Sequence, residues 1–178
     1  MRQLLFTPVL LALFLLPCAV GCSGGAADAN TSDAGEAAVG APTTLPESFW
    51  SSNTTADAKD VFTLREEDLA GQTITVRGTV KDFVEGLAAF VLVEDSLLSC
   101  DEIPGDSCPT PWDYCCTDPD ELARGTAFVE FHDDGRPGEW AVEGFHGIER
   151  LSEVVVTGEL SIDEADNLSL VATSIRLQ

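Results

Sequence analysis

The chain has 178 residues, with 31 acidic side chains against 9 basic ones and a formal charge of -22. This balance argues against nucleic acid as a partner, because such affinity rests on Lys and Arg displacing counterions from phosphates. It also disfavours direct attachment to anionic lipid headgroups, and it describes a soluble, self-repelling surface.

The first residues read as a signal. Arg2 precedes an apolar run over residues 4–16, and Ala19, Val20, Gly21, Cys22 and Ser23 follow. These are the charged, apolar and small-residue regions of a secretory signal. The run is broken by Pro17 and falls short of the roughly 20 residues that span a bilayer. Residues 4–23 resemble the signal and lipobox of bacterial lipoproteins, with Ala19 and Val20 where that family prefers Leu and Ala. The resemblance implies diacylglycerol on the Cys22 thiol, cleavage just before it and acylation of the new amino terminus. Plain secretion with cleavage near Gly21 is the alternative. Cys18 is the poorer lipid acceptor, because Pro17 stands where a small residue is wanted. Removing residues 1–21 takes away Arg2 and no acid, so the charge moves to -23.

Residues 22–47 are mostly Gly, Ala, Ser, Thr and Asp, too poor in large apolar side chains to offset the entropy of ordering. They read as a flexible tether with a span of roughly 25–30 Å. Residues 48–178 are left as one domain of ordinary size.

Within that domain the hydrophobic period is two. Residues 73–80 set Ile74, Val76, Gly78 and Val80 against Thr73, Thr75, Arg77 and Thr79. Shorter β-branched and aromatic runs occupy 88–93 and 126–131. Residues 153–160 alternate Val154, Val156, Gly158 and Leu160 with more polar neighbours, and 168–177 form a last run after the turn at 163–167. Five such strands predict an all-β fold, a small antiparallel barrel or sandwich. Helix is expected at 64–70, behind a capping box of Thr63 and Glu66 and ahead of Gly71, and as a short piece at 145–152.

Residues 71–80 resemble the opening of an OB-fold domain, in which a Gly leads into the first strand and a second Gly, here Gly78, lets that strand bend to serve both halves of the barrel. The later strands extend the resemblance over residues 69–177. It implies a five-stranded OB-like Greek-key barrel with one or two short helices. The chain departs from the family in the long connection at 96–124, where roughly 4–6 residues are usual. It departs also in lacking a basic, base-stacking face: Arg77, Lys81 and Arg124 are scattered among acids.

The connection at 96–124 holds Cys100, Cys108, Cys115 and Cys116, with Pro109, Pro111, Trp112 and Tyr114. Four cysteines in one loop of an exported protein point to two disulfides. Adjacent cysteines rarely bond each other, because the ring strains the peptide. The pairing is then 100–115 with 108–116, or 100–116 with 108–115. Each closure contributes on the order of 3 kcal/mol. The alternative is a metal site, with Asp101, Glu102, Asp106 and Asp113 nearby, although structural zinc sites favour cysteines two to four residues apart. Thiol–disulfide exchange is weaker again, since Cys-x-x-Cys is missing and acidic surroundings disfavour a thiolate. Trp112 and Tyr114 are candidate recognition residues. Trp112 is expected to fold inward as a small core for the loop, with Tyr114 left open.

His132 reads as an exposed turn residue and His146 as a packing or turn residue. No nucleophile elbow, phosphate loop, EF-hand or zinc-protease motif is present, so no catalytic residue, cofactor or resident metal is expected. The functional expectation is a non-enzymatic binding or structural module, lipid-anchored on the extracytoplasmic side of a membrane in the bacterial cell envelope. Its partners would be the membrane through the lipid, no nucleic acid, and a protein or glycan of the envelope. The alternative is a metal- or redox-handling lipoprotein using the cysteine loop. An OB module gripping an extended peptide or glycan across its barrel face comes third.

Overall fold

Each run of period-two alternation becomes a strand, and the inward residues of each run are those that the alternation places on one face. The computed structural model describes residues 43–53, 57–66 and 69–178. The expected signal over residues 1–21, with Cys18, and residues 22–42 of the expected tether, with Cys22, lie outside the described residues. In chain order the elements are β1 (Thr43–Thr44), α1 (Val61–Glu66), β2 (Thr73–Phe83), β3 (Ala89–Val93), α2 (Pro119–Arg124), β4 (Thr126–Asp133), β5 (Arg136–Pro137), β6 (Trp140–Ala141), β7 (Glu153–Ile162) and β8 (Leu168–Leu177). Folded structure thus starts ahead of residue 48. Thr43 and Thr44 pair in parallel with Trp140 and Ala141, and Leu45 is buried in the core.

Five strands close a barrel in the order β3-β2-β7-β8-β4, with β4 returning to β3. All of these pairings are antiparallel except β4 with β8. Counted along the chain the barrel order is 1-2-3-5-4-1, which is a small OB-like all-β fold. The core draws Val76 and Val80 from β2, Phe90 and Leu92 from β3, Val129 and Phe131 from β4, Val156 and Leu160 from β7, and Leu170 and Ile175 from β8.

The bend expected at Gly78 has a steric reason. β2 pairs with β7 through Thr79 and with β3 from Thr79 onward, so the strand changes partner there. A Cβ at Gly78 would lie 2.6 Å from the Val93 carbonyl oxygen and 2.8 Å from Leu92 Cγ. Gly158 lies in the neighbouring strand, at the register shift between β7 and β8. There a Cβ would stand 2.4 Å from the Val171 carbonyl oxygen.

The helices differ from expectation, at α1 for a reason the local sequence does not carry. α1 begins at Val61, and Val61 and Leu64 both enter the core. The Phe62 N–H donates to Glu94 Oε2 at 3.0 Å, so the carboxylate near this helix start comes from 32 residues away. Only a 3-10 turn, Phe145–Gly147, forms within 145–152. Gly144, His146, Gly147 and Leu151 all have positive φ, which a continuing right-handed helix cannot contain. α2 is an unexpected element. Asp118 accepts from the backbone of Asp120 and Glu121, and Pro119 opens the helix.

Candidate functional site

The connection between β3 and β4 carries the only groups of three or more metal-ligating side chains among the described residues. It is closed at its neck. The Glu94 N–H donates to the Gly125 carbonyl at 2.8 Å, and Leu97 and Phe62 fill the space a Cβ on Gly125 would need. Arg65 of α1 braces the far side, donating from Nε to the Arg124 carbonyl (2.7 Å) and from Nη2 to that of Ala123 (3.1 Å). These are the unpaired carbonyls at the end of α2, where a cation is favoured.

The loop is then laid onto the barrel. Tyr114 is 1% exposed and packs with Val93 and Leu97, backed by Phe62, Val91 and Leu122. Burial, with Glu102 and Asp95 adding repulsion, pushes its phenol up to about 12. The neighbouring Asp113 carboxylate accepts from the Tyr114 N–H at 2.8 Å and meets Lys81 Nζ at 3.2 Å. Both interactions hold its pKa below the ordinary carboxylate range. Trp112 is half-buried, with the Arg150 guanidinium 5.2 Å from its ring centre. Of the two candidate recognition residues, Tyr114, which the sequence left open, is the plug, and Trp112, expected to fold inward, is only half-buried and keeps surface to offer. The reason is register. With Asp113 tied to Lys81, the next residue faces β3.

Val91 and Val93 lie on the outer face of β3, the second barrel strand. In OB folds the second and third strands carry the ligand face. Here the chain's own insertion covers part of it, which narrows the room for an extended ligand across the barrel.

The cysteines are placed by two backbone bonds between the arms of the loop. The Cys100 N–H donates to the Asp113 carbonyl at 2.8 Å, and that of Asp101 to the Pro111 carbonyl at 2.9 Å. Ser99 and Glu102 form a capping box over the turn that begins at Cys100. Cys100 is buried, Cys108 partly buried, and Cys115 and Cys116 are exposed. The expectation of two bridges is corrected at this point, for all four thiols are free. Cys115 Sγ sits 3.2 Å from Cys100 Sγ and 3.9 Å from Cys108 Sγ, so the sulfurs converge as one cluster and do not fall into two separate pairs. Cys116 joins Cys100 and Cys115, and an Asp106 carboxylate oxygen joins Cys100 and Cys108, each group lying within 4.8 Å.

The thiols are electrostatically unequal. The Thr110 hydroxyl, 3.3 Å from Cys108 Sγ, and then the Thr110 backbone lower the Cys108 pKa. Cys100 is pushed up to about 12, first by its contact with Cys115 and then by burial. The acidic surroundings thus do not act alone, and Thr110 is a neighbour that spacing did not reveal.

The histidines stand apart. His132 is a correction to the turn reading: it lies in β4, partly buried, with Nε2 2.7 Å from Glu130 Oε2. His146 packs as expected, stacked on Trp50 at 4.0 Å with Nε2 2.8 Å from Glu47 Oε2.

No family model matches the chain, and no curated protein does. Among solved structures it is similar to a protein assigned as an aspartyl-tRNA synthetase from Leishmania major Friedlin, at 12% identity and a TM-score of 0.42 over 76% of this chain and 23% of that one. An aspartyl-tRNA synthetase from Entamoeba histolytica is similar at 13% identity and a TM-score of 0.42, over 76% and 26%. The OBody AM1L10, bound to hen egg-white lysozyme, is similar at 11% identity and a TM-score of 0.38, over 71% and 98%. The chain spans about a quarter of the length of either synthetase. One expectation is corrected by these matches. Two of the matched proteins are enzymes named for an RNA, so nucleic acid is not excluded as a partner on net charge alone. At such identities the likeness concerns the fold and assigns no ligand to this chain.

Proposed function

We propose that the chain is a lipid-anchored module of the bacterial cell envelope, held through Cys22 on the extracytoplasmic side of a membrane. Its role is binding or structural, without catalysis. The packing of Tyr114 against the outer face of β3 is the observation behind the binding or structural role. It spends part of the barrel's own ligand face on holding the insertion, so the insertion is what the domain displays. Glu94, Asp113 and Arg65 likewise go into fastening the loop. The signal-like residues 4–23 supply the argument for export and anchoring. One chain alone does not anchor stably, and the lipoprotein pattern supplies more than one.

Fractionation of cells expressing the full chain tests the anchor. Wild type is expected in the membrane fraction, and Cys22→Ser is expected to be released or left unprocessed. Equal membrane partition of the two would remove the anchor from this reading.

A further inference from the structure

The sulfur cluster offers chemistry that fastening the loop does not use. Four thiols and one carboxylate converge from three points of the chain, with the buried Cys100 sulfur belonging to both groups. Zinc–thiolate bonds of about 2.3 Å set the edge of a tetrahedral site near 3.8 Å. The two sulfur separations of 3.2 and 3.9 Å bracket that edge. Cys116 to Cys100 and Cys115, and Cys100 to Cys108, lie within 4.8 Å and need a small contraction, while the Cys108–Cys116 edge, which neither group contains, has further to close.

The scaffold for such a site is already in place. Cys100 and Asp101 are fixed to the opposite arm through the carbonyls of Asp113 and Pro111, and Ser99 with Glu102 caps the turn that carries Cys100. Tyr114, immediately before Cys115, is anchored in the smaller hydrophobic cluster. The sequence spacing that argues against zinc concerns cysteines that must meet within a short knuckle. Here backbone pairing between distant arms brings them together instead.

Disulfide pairing fits the same geometry less well. Bonding Cys100 to Cys115, the nearest pair, leaves Cys108 and Cys116, which share neither group. The other pairing joins Cys100 to Cys116 and Cys108 to Cys115, and leaves the nearest pair unbonded.

We propose that Cys100, Cys108, Cys115 and Cys116 form a closed thiolate site for one soft d10 cation, zinc(II) or copper(I), with Asp106 at its edge. Soft thiolate sets select these ions over magnesium and calcium. Coordination releases the thiol protons and moves no electrons. The bound ion cross-links both arms of the insertion, a role two disulfides would otherwise fill. Nothing in this depends on lipid at Cys22, so the fractionation experiment and the metal experiment fail separately.

The test uses the full chain, reduced and freed of metal under anaerobic conditions. Titration with zinc(II) is expected to bind one ion per chain and to shield all four loop thiols from alkylation. Cobalt(II) in its place should give thiolate charge-transfer and tetrahedral ligand-field absorption. Copper(I) competition tells which of the two ions is held more tightly. Cys115→Ser and Cys116→Ser, both at exposed positions, should each weaken binding at least tenfold with the barrel's circular dichroism unchanged. Cys100→Ser should abolish stoichiometric binding; if that variant does not fold, the two exposed variants decide. The proposal is overturned if the reduced chain takes up neither ion, or if the Cys115→Ser/Cys116→Ser double variant binds as wild type does. It is equally overturned if the protein isolated from the envelope carries two disulfides and no metal.

Discussion

The barrel buries its apolar side chains in one continuous core running from Val76 and Phe90 through Phe131 to Leu160 and Ile175. The insertion between Asp95 and Arg124 buries only Leu97, Ser99, Cys100 and Tyr114. The barrel is therefore held by area removed from water and by closed strand ladders, which need no help from the loop. The loop is held at a neck, at one aromatic plug and at a knot of sulfurs, each of which is a single point of failure. Regions with few buried apolar contacts open at lower free energy than the core. The difference teaches that the two regions answer to different chemistry: hydrophobic deletion for the barrel, and thiol or metal state for the insertion.

The largest effect should come from Phe131→Ala. Phe131 is fully buried and meets Phe49 edge-on, with ring centres 5.1 Å apart. Its removal should lower global stability by about 3–5 kcal/mol, with barrel and insertion lost in one transition on chemical denaturation. A transition confined to residues 95–124 would break the comparison.

Tyr114→Ala should act the other way round. A loss of about 1–3 kcal/mol is expected, read mainly as faster amide hydrogen exchange over residues 95–124 while β7 and β8 stay protected. Equal acceleration in the barrel strands would show that the plug supports the core as well.

The smallest effect is a pH dependence of opposite sign at two carboxylates. Asp163, in the β7–β8 turn, accepts from Asn167 Nδ2 and from the Asn167 and Ala165 N–H groups. These bonds, with Asn167's first, hold its pKa below the ordinary value. The stability it contributes is present above its unfolded pKa and fades as pH falls through the lower folded one. Asp95, beside the neck, is raised by burial despite the hydroxyl bond from Thr79. Its folded form holds a proton more tightly, so it disfavours folding at neutral pH, and that penalty is relieved as pH falls through its raised pKa. Carboxyl chemical shifts followed by NMR should place Asp163 below and Asp95 above the ordinary aspartate range. Asn167→Ala should return Asp163 toward that range without moving Asp95.

Much of the barrel was legible in the residues because strand alternation is local. Ile74, Val76 and Val80, or Val154, Val156 and Leu160, declare an inward face without reference to anything else, and Gly78 marks a bend by interrupting such a run. α2 was legible too, in Asp118 followed by Pro119, but inside a cysteine-rich stretch its short signal is easily passed over. The start of α1 was not legible, because Glu94 approaches it from another part of the chain. Nor was the choice of Tyr114 over Trp112. That choice depends on Lys81 fixing Asp113 and on β3 presenting Val93 to the next side chain. By itself the sequence determined that four cysteines share one insertion on a β-barrel. That their sulfurs meet as one cluster was decided only by tertiary structure, since the backbone bonds from Cys100 to Asp113 and from Asp101 to Pro111 set a separation that spacing along the chain cannot express.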